Sequence, residues 1–311
     1  MWRRWRGVIA VALVMVLPLA LELSDAVRRV WFLDCVRWDL HEMAPYAVPR
    51  PPERQVLDQL RKQLPSNVPF SEQGLATLQT VTLENLHPES TNFACLKYCT
   101  GLRKLKMPAL WGLTGNGFLS CPALPNLEEL DLSLDSDTLH TGPDGDVFPP
   151  CGYPPLDITP LKGMTHLKRL SLFERAVTNT QSLAGLTELE ELDLTRTGIE
   201  DLRPLEKLER LRVLKLGGKW EEGFEGFGGH QHLEELDVWG VRQTDLAWLK
   251  TDPNLVHLEL VGCFITDPSP LLDLHELKTL LVDRYFDSPQ GALVVRTLRA
   301  RGVTVTRFTS G

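Results

Sequence analysis

The sequence predicts an α/β solenoid, in which short strands stack into one parallel sheet and each strand is followed by a short return segment. The first observation is the leucine spacing in LEELDLTRTGIEDLRPL, residues 189–205, where an L-x-x-L-x-L motif is followed by apolar residues at intervals of three. The second is that this motif recurs at a step of 22 residues. Because one repeat of this length cannot enclose a hydrophobic core, its copies are expected to stack and share one.

Nine copies of the motif are present, six of them at the strict 22-residue step and three more loosely spaced upstream. In each copy the fourth and sixth residues point to one side of a short strand, and the residues between them face the other side. The sheet is therefore predicted on the concave face, with short helical or irregular return segments behind it. The copies begin at Leu78, Leu102, Leu127, Leu167, Leu189, Leu211, Leu233, Leu255 and Leu277.

This pattern resembles the leucine-rich repeat family, and its 22-residue form with D-L-x-P-L in the return segment is similar to the internalin-type repeats of bacteria. The matching segments are 157–161, 201–205 and 267–271. The resemblance covers residues 75–285 and implies a horseshoe whose function lies in exposed positions. The family's asparagine at the ninth repeat position is replaced, so the side-chain ladder that it builds must be partial. The replacements are Arg175, Thr197, Lys219, Val241 and Cys263.

The N-terminus has the three-part layout of a secretory signal, predicted over residues 1–26. Three arginines in MWRRWRG precede an uncharged run from Val8 to Leu21, and Ser24 and Ala26 supply small residues for cleavage. The run is shorter than the roughly 20 apolar residues that a membrane span needs. A cleaved signal is preferred, and a membrane anchor through residues 7–23 is the alternative. Either predicts an extracytoplasmic protein that is secreted, periplasmic or membrane-anchored.

Both ends of the repeat array are predicted to carry helical caps. Residues 27–74 form an N-terminal linker and cap, with a helix from Pro52 to Leu64. Residues 286–311 form a C-terminal cap that begins with Ser288 as helix N-cap and Pro289 as the first helical residue. Its predicted apolar face is Leu293, Val294 and Leu298, and the VTVT at 303–306 is predicted to be a last strand.

An insertion at residues 135–155 adds 18 residues between the third and fourth copies. Its aspartates, glycines and prolines indicate an exposed loop. Three interpretations stay open, namely a tolerated surface insertion, a ligand-contacting loop and a calcium loop. The aspartates available to calcium are Asp135, Asp137, Asp144 and Asp146, and their spacing does not match the D-x-D-x-D-G pattern.

The six cysteines are even in number, which is compatible with disulfides in an exported chain. Cys263 stands at the ninth repeat position, where a buried thiol is expected. Cys99 and Cys121 occupy leucine positions of neighbouring return segments and are candidates for proximity. The pairing among Cys35, Cys95, Cys99, Cys121 and Cys151 stays open.

No catalytic motif, metal-binding spacing or phosphate-binding glycine loop was recognised in the sequence, so no enzyme activity, metal or cofactor is predicted. The net charge of −8 gives no support for nucleic-acid binding, which usually needs a basic surface. His230 and His232 form an H-x-H pair, but His230 replaces an apolar return residue.

Charged residues on the concave face are predicted to form columns of alternating sign, because equivalent residues of neighbouring strands lie about 4.8 Å apart. The third repeat position gives Lys104, Glu129, Arg169 and Glu191, and the fifth gives Asp193, Lys215 and Asp237.

A ligand-binding patch is predicted where the strands of the sixth to eighth copies end. Glycine at the eighth repeat position in three successive copies, Gly218, Gly240 and Gly262, leaves a low track beside aromatic residues. Aromatic side chains give rigid contact area at low entropic cost, and acidic neighbours favour a basic or polar ligand. The structural alternative is that glycine suits a tight turn and the aromatics cover the core edge. The predicted site residues are Trp220, Glu235, Asp237, Trp239, His257, Glu259 and Phe264.

The sequence thus predicts a non-catalytic, exported leucine-rich repeat scaffold that binds a protein or another macromolecule through its concave face or rim. The first alternative is a structural cell-envelope protein without a specific ligand. The second is an enzyme with an unrecognised site, which would need convergent titratable groups in a pocket.

Overall fold

The computed structural model of the chain describes residues 52–84, 86, 92–108, 118–134, 155–199, 201–220, 228–241 and 246–308. Within these ranges ten strands form one parallel sheet, and their order in the sheet follows the chain. The predicted parallel sheet is confirmed, with one strand in each of the nine copies and a tenth from the C-terminal segment. Its strands are β1 (Thr80–Thr82), β2 (Lys104–Lys106), β3 (Glu129–Asp131), β5 (Arg169–Ser171), β7 (Glu191–Thr195), β8 (Val213–Trp220), β9 (Glu235–Val241), β10 (His257–Val261), β11 (Thr279–Val282) and β12 (Thr304–Arg307).

The register of the sheet follows from the leucine spacing. Leu192, Leu214, Leu236, Leu258 and Leu280 are direct partners across five neighbouring strands. All five are buried, and so are the apolar residues two positions further along each strand. Full burial of one such side chain stabilises the fold by about 1.5–3 kcal/mol, so a slip of register would be costly.

The return segments are mostly short 3-10 helices. Where the D-L-x-P-L motif occurs, its aspartate starts the helix by accepting a hydrogen bond from the backbone N–H two residues later. The distances are 2.9 Å for Asp157, 3.0 Å for Asp201 and 2.9 Å for Asp267. A second, two-stranded sheet joins β4 (Leu156–Asp157) to β6 (Val177–Thr178) within this layer. The 3-10 helices are Ala94–Tyr98, Thr159–Gly163, Thr180–Gly185, Arg203–Lys207, Ala247–Thr251, Ser269–Asp273 and Arg284–Phe286.

At the ninth repeat position, three different side chains donate to backbone carbonyls. Thr197 Oγ1 donates to the Leu194 carbonyl at 2.8 Å, and Arg175 Nε donates to the Leu132 carbonyl at 2.7 Å. Cys263 Sγ lies 3.4 Å from the Val238 oxygen, and the side chain is buried as a thiol, as its position predicts. Burial lowers the pKa of Arg175 to about 10.

The first strand is bordered by helix α1 (Pro52–Gln63), which is present where the sequence predicts it. Gln63 accepts from Thr82 N–H at 2.9 Å and donates to the Thr82 carbonyl at 2.6 Å. Gln59 makes the same pair of bonds with Glu84. Two glutamine amides, one helical turn apart, therefore take the place of a neighbouring strand at an edge that would otherwise offer unpaired backbone groups. A short helix, α2 (Glu72–Leu75), follows.

Near the other end lies helix α3 (Pro289–Ala300), with Ser288 Oγ accepting from Gly291 N–H at 3.0 Å. The N-cap and the first helical residue are as predicted, but the apolar face differs. Val294 and Leu298 are buried with Val295, whereas Leu293 is exposed. The prediction for Leu293 was wrong because the helix turns a different stripe toward the core. That the two terminal helices act as caps stays a prediction.

Several predictions fall outside the described residues, namely the signal at 1–26, most of the 27–74 linker and cap, Cys35, Cys151 and insertion residues 135–154. In the part of the chain that the structure describes, no helix has the length and apolar character needed to cross a membrane. Cys99 and Cys121 are buried thiols, and burial raises their pKa values to about 11 and about 12.

Candidate binding surface

The charge columns of the concave face are arranged as the repeat register predicts. Glu129 lies between Lys104 and Arg169 in the sheet, and it forms ion pairs with both, at 2.7 Å from Lys104 Nζ. Arg169 also approaches Glu191 at 4.0 Å. Opposite charges on neighbouring strands favour this register, and each exposed pair contributes about 0.2–1 kcal/mol.

The balance of positively and negatively charged side chains on the concave face changes on β8 to β10. Lys215 on β8 extends toward β9, where its Nζ lies 3.1 Å from Asp237 Oδ2 and 3.4 Å from Glu235 Oε1. The next strand adds another acid, because Glu259 is the direct partner of Asp237. Three carboxylates are therefore gathered around one lysine in this part of the concave face.

Burial and mutual repulsion act on these carboxylates. Burial raises the pKa of Asp237, and Glu235 and Asp193 raise it further, although the hydrogen bond and charge of Lys215 oppose the rise. The pKa of Glu259 is also raised, first by burial and then by Asp237. For Lys215, burial lowers the pKa, but the hydrogen bonds and charges of Asp237 and Glu235 together outweigh it, and the net shift is upward. The cluster holds more negative charge than its lysine compensates.

An aromatic pair stands beside the acids. Trp239 Nε1–H donates to Glu259 Oε2 at 3.3 Å, and the Trp239 ring meets the ring of Phe308 edge to face, with centroids 5.3 Å apart and planes at 77°. Val261, the sheet partner of Trp239, is only 6% exposed although strand alternation places it on the concave face. We name Glu235, Asp237, Trp239, Glu259 and Phe308 the acidic–aromatic patch.

The structure brings four of the seven predicted site residues together, namely Glu235, Asp237, Trp239 and Glu259. His257 adjoins them as the sheet partner of Glu235, and its Nδ1 lies 2.7 Å from Thr279 Oγ1. Phe264 is exposed beyond the end of β10. Trp220 pairs through its backbone with Val241, and its side chain lies outside the described atoms.

Sequence reasoning missed Phe308 as a site residue. Arg307 is the sheet partner of Val282, so Phe308 continues the last strand at the repeat position that Trp239 occupies in β9. The repeat spacing did not contain this signal, because a further 22-residue step from Leu277 makes Val305 the seventh position, and only the pairing of Arg307 with Val282 places Phe308 there. What the register does not give is the rotamer that lets the Trp239 side chain reach over the two strands that lie between β9 and β12.

The glycine track has a conformational cause. Gly240 and Gly262 both have φ of +70°, and a Cβ on Gly262 would lie 3.2 Å from backbone atoms of Gly240. The same repeat position has positive φ in earlier copies, where Glu174 and Arg196 occupy it. This position is therefore a left-handed turn in successive repeats, and glycine is favoured where neighbouring turns stack closely.

No protein family model matches the sequence, and no curated protein is similar to it. Among solved structures, the chain is similar to an internalin (inlF) of Listeria monocytogenes, with a TM-score of 0.45 and 16% identity over 86% of this chain and 93% of that one. It is also similar to internalin C2 (inlC2) of Listeria monocytogenes, with a TM-score of 0.43 and 20% identity over 77% and 100%.

A plant peptide hormone receptor, RGFR1 in complex with RGF2, has a TM-score of 0.40 and 14% identity over 66% of this chain and 34% of the receptor chain. The leucine-rich repeat architecture of the present chain rests on its own ladder of strands and its own leucine core.

Proposed function

We propose that this chain is a non-catalytic leucine-rich repeat scaffold that acts outside the cytoplasm and binds another protein through the acidic–aromatic patch. The observation that carries the proposal is the state of Glu259. Its carboxylate is half-buried beside Asp237, and its hydrogen bond comes from a neutral indole N–H, while Lys215 contacts Glu235 and Asp237. A cation from a partner would relieve this imbalance.

The partner chemistry that fits best is a basic, extended segment of a protein. An arginine or lysine of the partner placed over Glu259 is attracted by the carboxylates of Glu259 and Asp237. Its methylene stem or guanidinium plane can lie against the rings of Trp239 and Phe308. Tryptophan and arginine are among the residues that dominate binding energy in protein interfaces, where they are desolvated on binding. A structural envelope protein would need only the repeating charge columns, which the patch interrupts.

The proposal predicts that a basic peptide binds at the patch. A library of random dodecapeptides displayed on phage, selected on the immobilised chain, is expected to yield sequences with arginine or lysine beside an aromatic residue. Synthetic copies, measured by fluorescence anisotropy, should bind Trp239→Ala and Glu259→Gln at least tenfold more weakly than wild type, about 1.4 kcal/mol. Leu293→Ala, an exposed position on α3, is the matched control and should bind normally.

The pH dependence of this binding supplies a second readout. Because the pKa values of Asp237 and Glu259 are raised, these groups take up protons at a higher pH than ordinary carboxyls as pH falls. Peptide affinity should therefore weaken on acidification before other surface carboxylates titrate. Selected peptides that carry no basic residue would contradict the proposal. Peptides that bind Trp239→Ala and Glu259→Gln as tightly as wild type, when thermal melting shows that both variants are folded, would place the binding site elsewhere.

Export is the second part of the proposal, and it is supported by the arginine-rich start and uncharged run at residues 1–21. Cell fractionation followed by N-terminal sequencing is expected to find the chain outside the cytoplasm, beginning near residue 27 if the signal is cleaved. A chain that retains residues 1–26 in a membrane fraction would support the anchored form. Recovery in the cytoplasm with Met1 retained would refute export.

A further inference from the structure

One charge column of the concave face breaks its alternation at Ser171. At the fifth repeat position, the direct sheet partners from β2 to β8 are Lys106, Asp131, Ser171, Asp193 and Lys215. Continued alternation of sign would put a cation between the two aspartates, since opposite charges on neighbouring strands are favourable. A serine stands there instead, so two carboxylates lie on the strands on either side of a small neutral side chain.

Hydrogen bonds hold both aspartates in place. Asp131 Oδ1 accepts from the Ser133 backbone N–H at 3.0 Å and from the Ser133 hydroxyl at 2.6 Å. Asp193 Oδ1 accepts from the Thr195 backbone N–H at 2.9 Å. Neither aspartate forms an ion pair with a described residue, and the second oxygen of each carboxylate has no hydrogen bond within the described part of the chain. These oxygens are therefore available to a donor from outside.

The cations around Ser171 are directed elsewhere. Lys215 extends to the two acids of β9, and Arg169 pairs with the glutamate of β3. Arg175 is acted on by the charge of the β3 aspartate, but it is buried and its Nε donates to a backbone carbonyl. Lys106, on β2, forms no ion pair with a described residue. No described cation of the chain thus fills the place between the two aspartates.

A groove of about 280 Å³ opens over this place, lined by residues of β2, β3, β5, β7 and β8. Sites that enclose a small molecule measure roughly 300–1,000 Å³, so the groove suits a single side chain better. Among the residues that the structure describes, no group of three or more histidines, cysteines and acids could hold a metal ion. An arginine or lysine side chain needs only carboxylate oxygens at hydrogen-bonding distance, which the two aspartates supply.

We propose that this place, which we name the Ser171 subsite (Asp131, Ser171 and Asp193), takes a second basic side chain of the protein segment that binds the acidic–aromatic patch. The inference rests on the proposed function and adds to it the spacing of the partner's charges. The partner's arginine or lysine lies between the two carboxylates, where the small serine leaves room for it. The incoming cation completes the alternation of sign along the column.

The sheet sets the distance between the two basic residues of the partner. The Ser171 subsite is centred on β5, and the acids of the patch lie on β9 and β10, three and four strands further along the sheet. At about 4.8 Å per strand, this separation is roughly 14–19 Å. An extended segment advances about 3.3 Å per residue and alternates its side chains, so two basic residues that both face the sheet are about four or about six positions apart.

The experiment measures four fluorescein-labelled peptides by fluorescence anisotropy. GSRWGSRGS and GSRWGSGGR carry two arginines four and six positions apart, GSRWRSGGS carries them two apart, and GSRWGSQGS carries one. We expect at least one of the first two to bind wild type about tenfold more tightly than the last two, since hydrogen bonds to a charged group contribute enough free energy for that. The peptide with arginines two apart controls for the number of charges.

Two variants test the subsite directly. Ser171→Lys supplies the missing cation from the chain itself, so it should abolish the tenfold advantage of the spaced peptides and leave binding of the one-arginine peptide unchanged. Asp193→Asn keeps the shape and removes one carboxylate, so it should reduce the same advantage. Thr178→Lys is the matched control, because it adds the same charge at an exposed position of β6 and should bind all four peptides as wild type does.

Thermal melting adds a readout that does not depend on peptide binding. Because a lysine at position 171 offsets the repulsion between the two aspartates, Ser171→Lys should melt no lower than Thr178→Lys. A lower melting temperature, equal binding of the three two-arginine peptides, or a spacing advantage that persists in Ser171→Lys would overturn the subsite. If the one-arginine peptide binds Trp239→Ala as tightly as wild type, the patch itself is refuted, and the melting comparison still decides whether the place between the aspartates accepts a cation.

Discussion

Lys215→Glu is expected to lower the free energy of unfolding by about 2–3 kcal/mol. This is less than the roughly 3–5 kcal/mol that breaking a fully buried ion pair costs, because the Lys215 side chain is 40% exposed. The substitution removes the cation that contacts Glu235 and Asp237. It also adds a fourth acid to the cluster of Glu235, Asp237 and Glu259, in which the Asp237 side chain is only 11% exposed. Urea unfolding at neutral pH and low salt measures the loss. The loss should shrink as pH falls, because the raised pKa values of Asp237 and Glu259 let both groups protonate early.

Lys250→Glu is the matched control for this prediction. Lys250 pairs with Asp273 at 3.3 Å, but the two side chains are 56% and 57% exposed, so the expected cost is below about 1 kcal/mol. High salt should screen the control completely and the Lys215 variant only in part. Equal losses in the two variants would mean that the carboxylate cluster on β9 and β10 is an ordinary solvated surface.

Gly262→Ala is expected to cost about 2 kcal/mol of stability, of which about 1 kcal/mol comes from placing a Cβ in the left-handed region. The remainder comes from the contact of that Cβ with the Gly240 backbone at 3.2 Å. Gly198→Ala separates the two contributions, because Gly198 also has φ of +70° but has open space around a Cβ. Gly185→Ala, with neither strain nor contact, should be close to neutral. Thermal and urea unfolding of the three variants measure the series.

The glycine series also bears on the patch. A Gly262→Ala loss no larger than that of Gly198→Ala would show that neighbouring turns do not stack closely. A variant that keeps its stability but loses peptide binding would assign the glycine track to the binding surface. The left-handed φ values of Glu174 and Arg196 at the same repeat position favour the structural interpretation.

The leucine spacing by itself determined the sheet, its register and the side of each strand that is buried. These properties are local and repeated, because period-2 alternation sets the buried face and identical copies stack only in one register. The same reasoning located the ion pairs of Glu129 with Lys104 and Arg169, since partners in a parallel sheet occupy the same repeat position. Ser288 and Pro289 marked the start of α3 for an equally local reason.

The tertiary structure alone decided the contacts that depend on side-chain direction or on exceptions to the repeat. Trp239 meets Phe308 across the two strands between β9 and β12, which requires a rotamer that no spacing encodes. Leu293 is exposed because the buried stripe of α3 consists of Gly291, Val294, Val295 and Leu298, and Leu293 lies outside it.

His230 could be recognised in the sequence as an apolar position occupied by a polar residue. Its partner became evident only when stacking placed Asp252 at the same repeat position of the next copy. A repeat sequence specifies which positions are equivalent. What a residue does where it breaks the repeat pattern depends on the neighbours that it contacts in the folded structure.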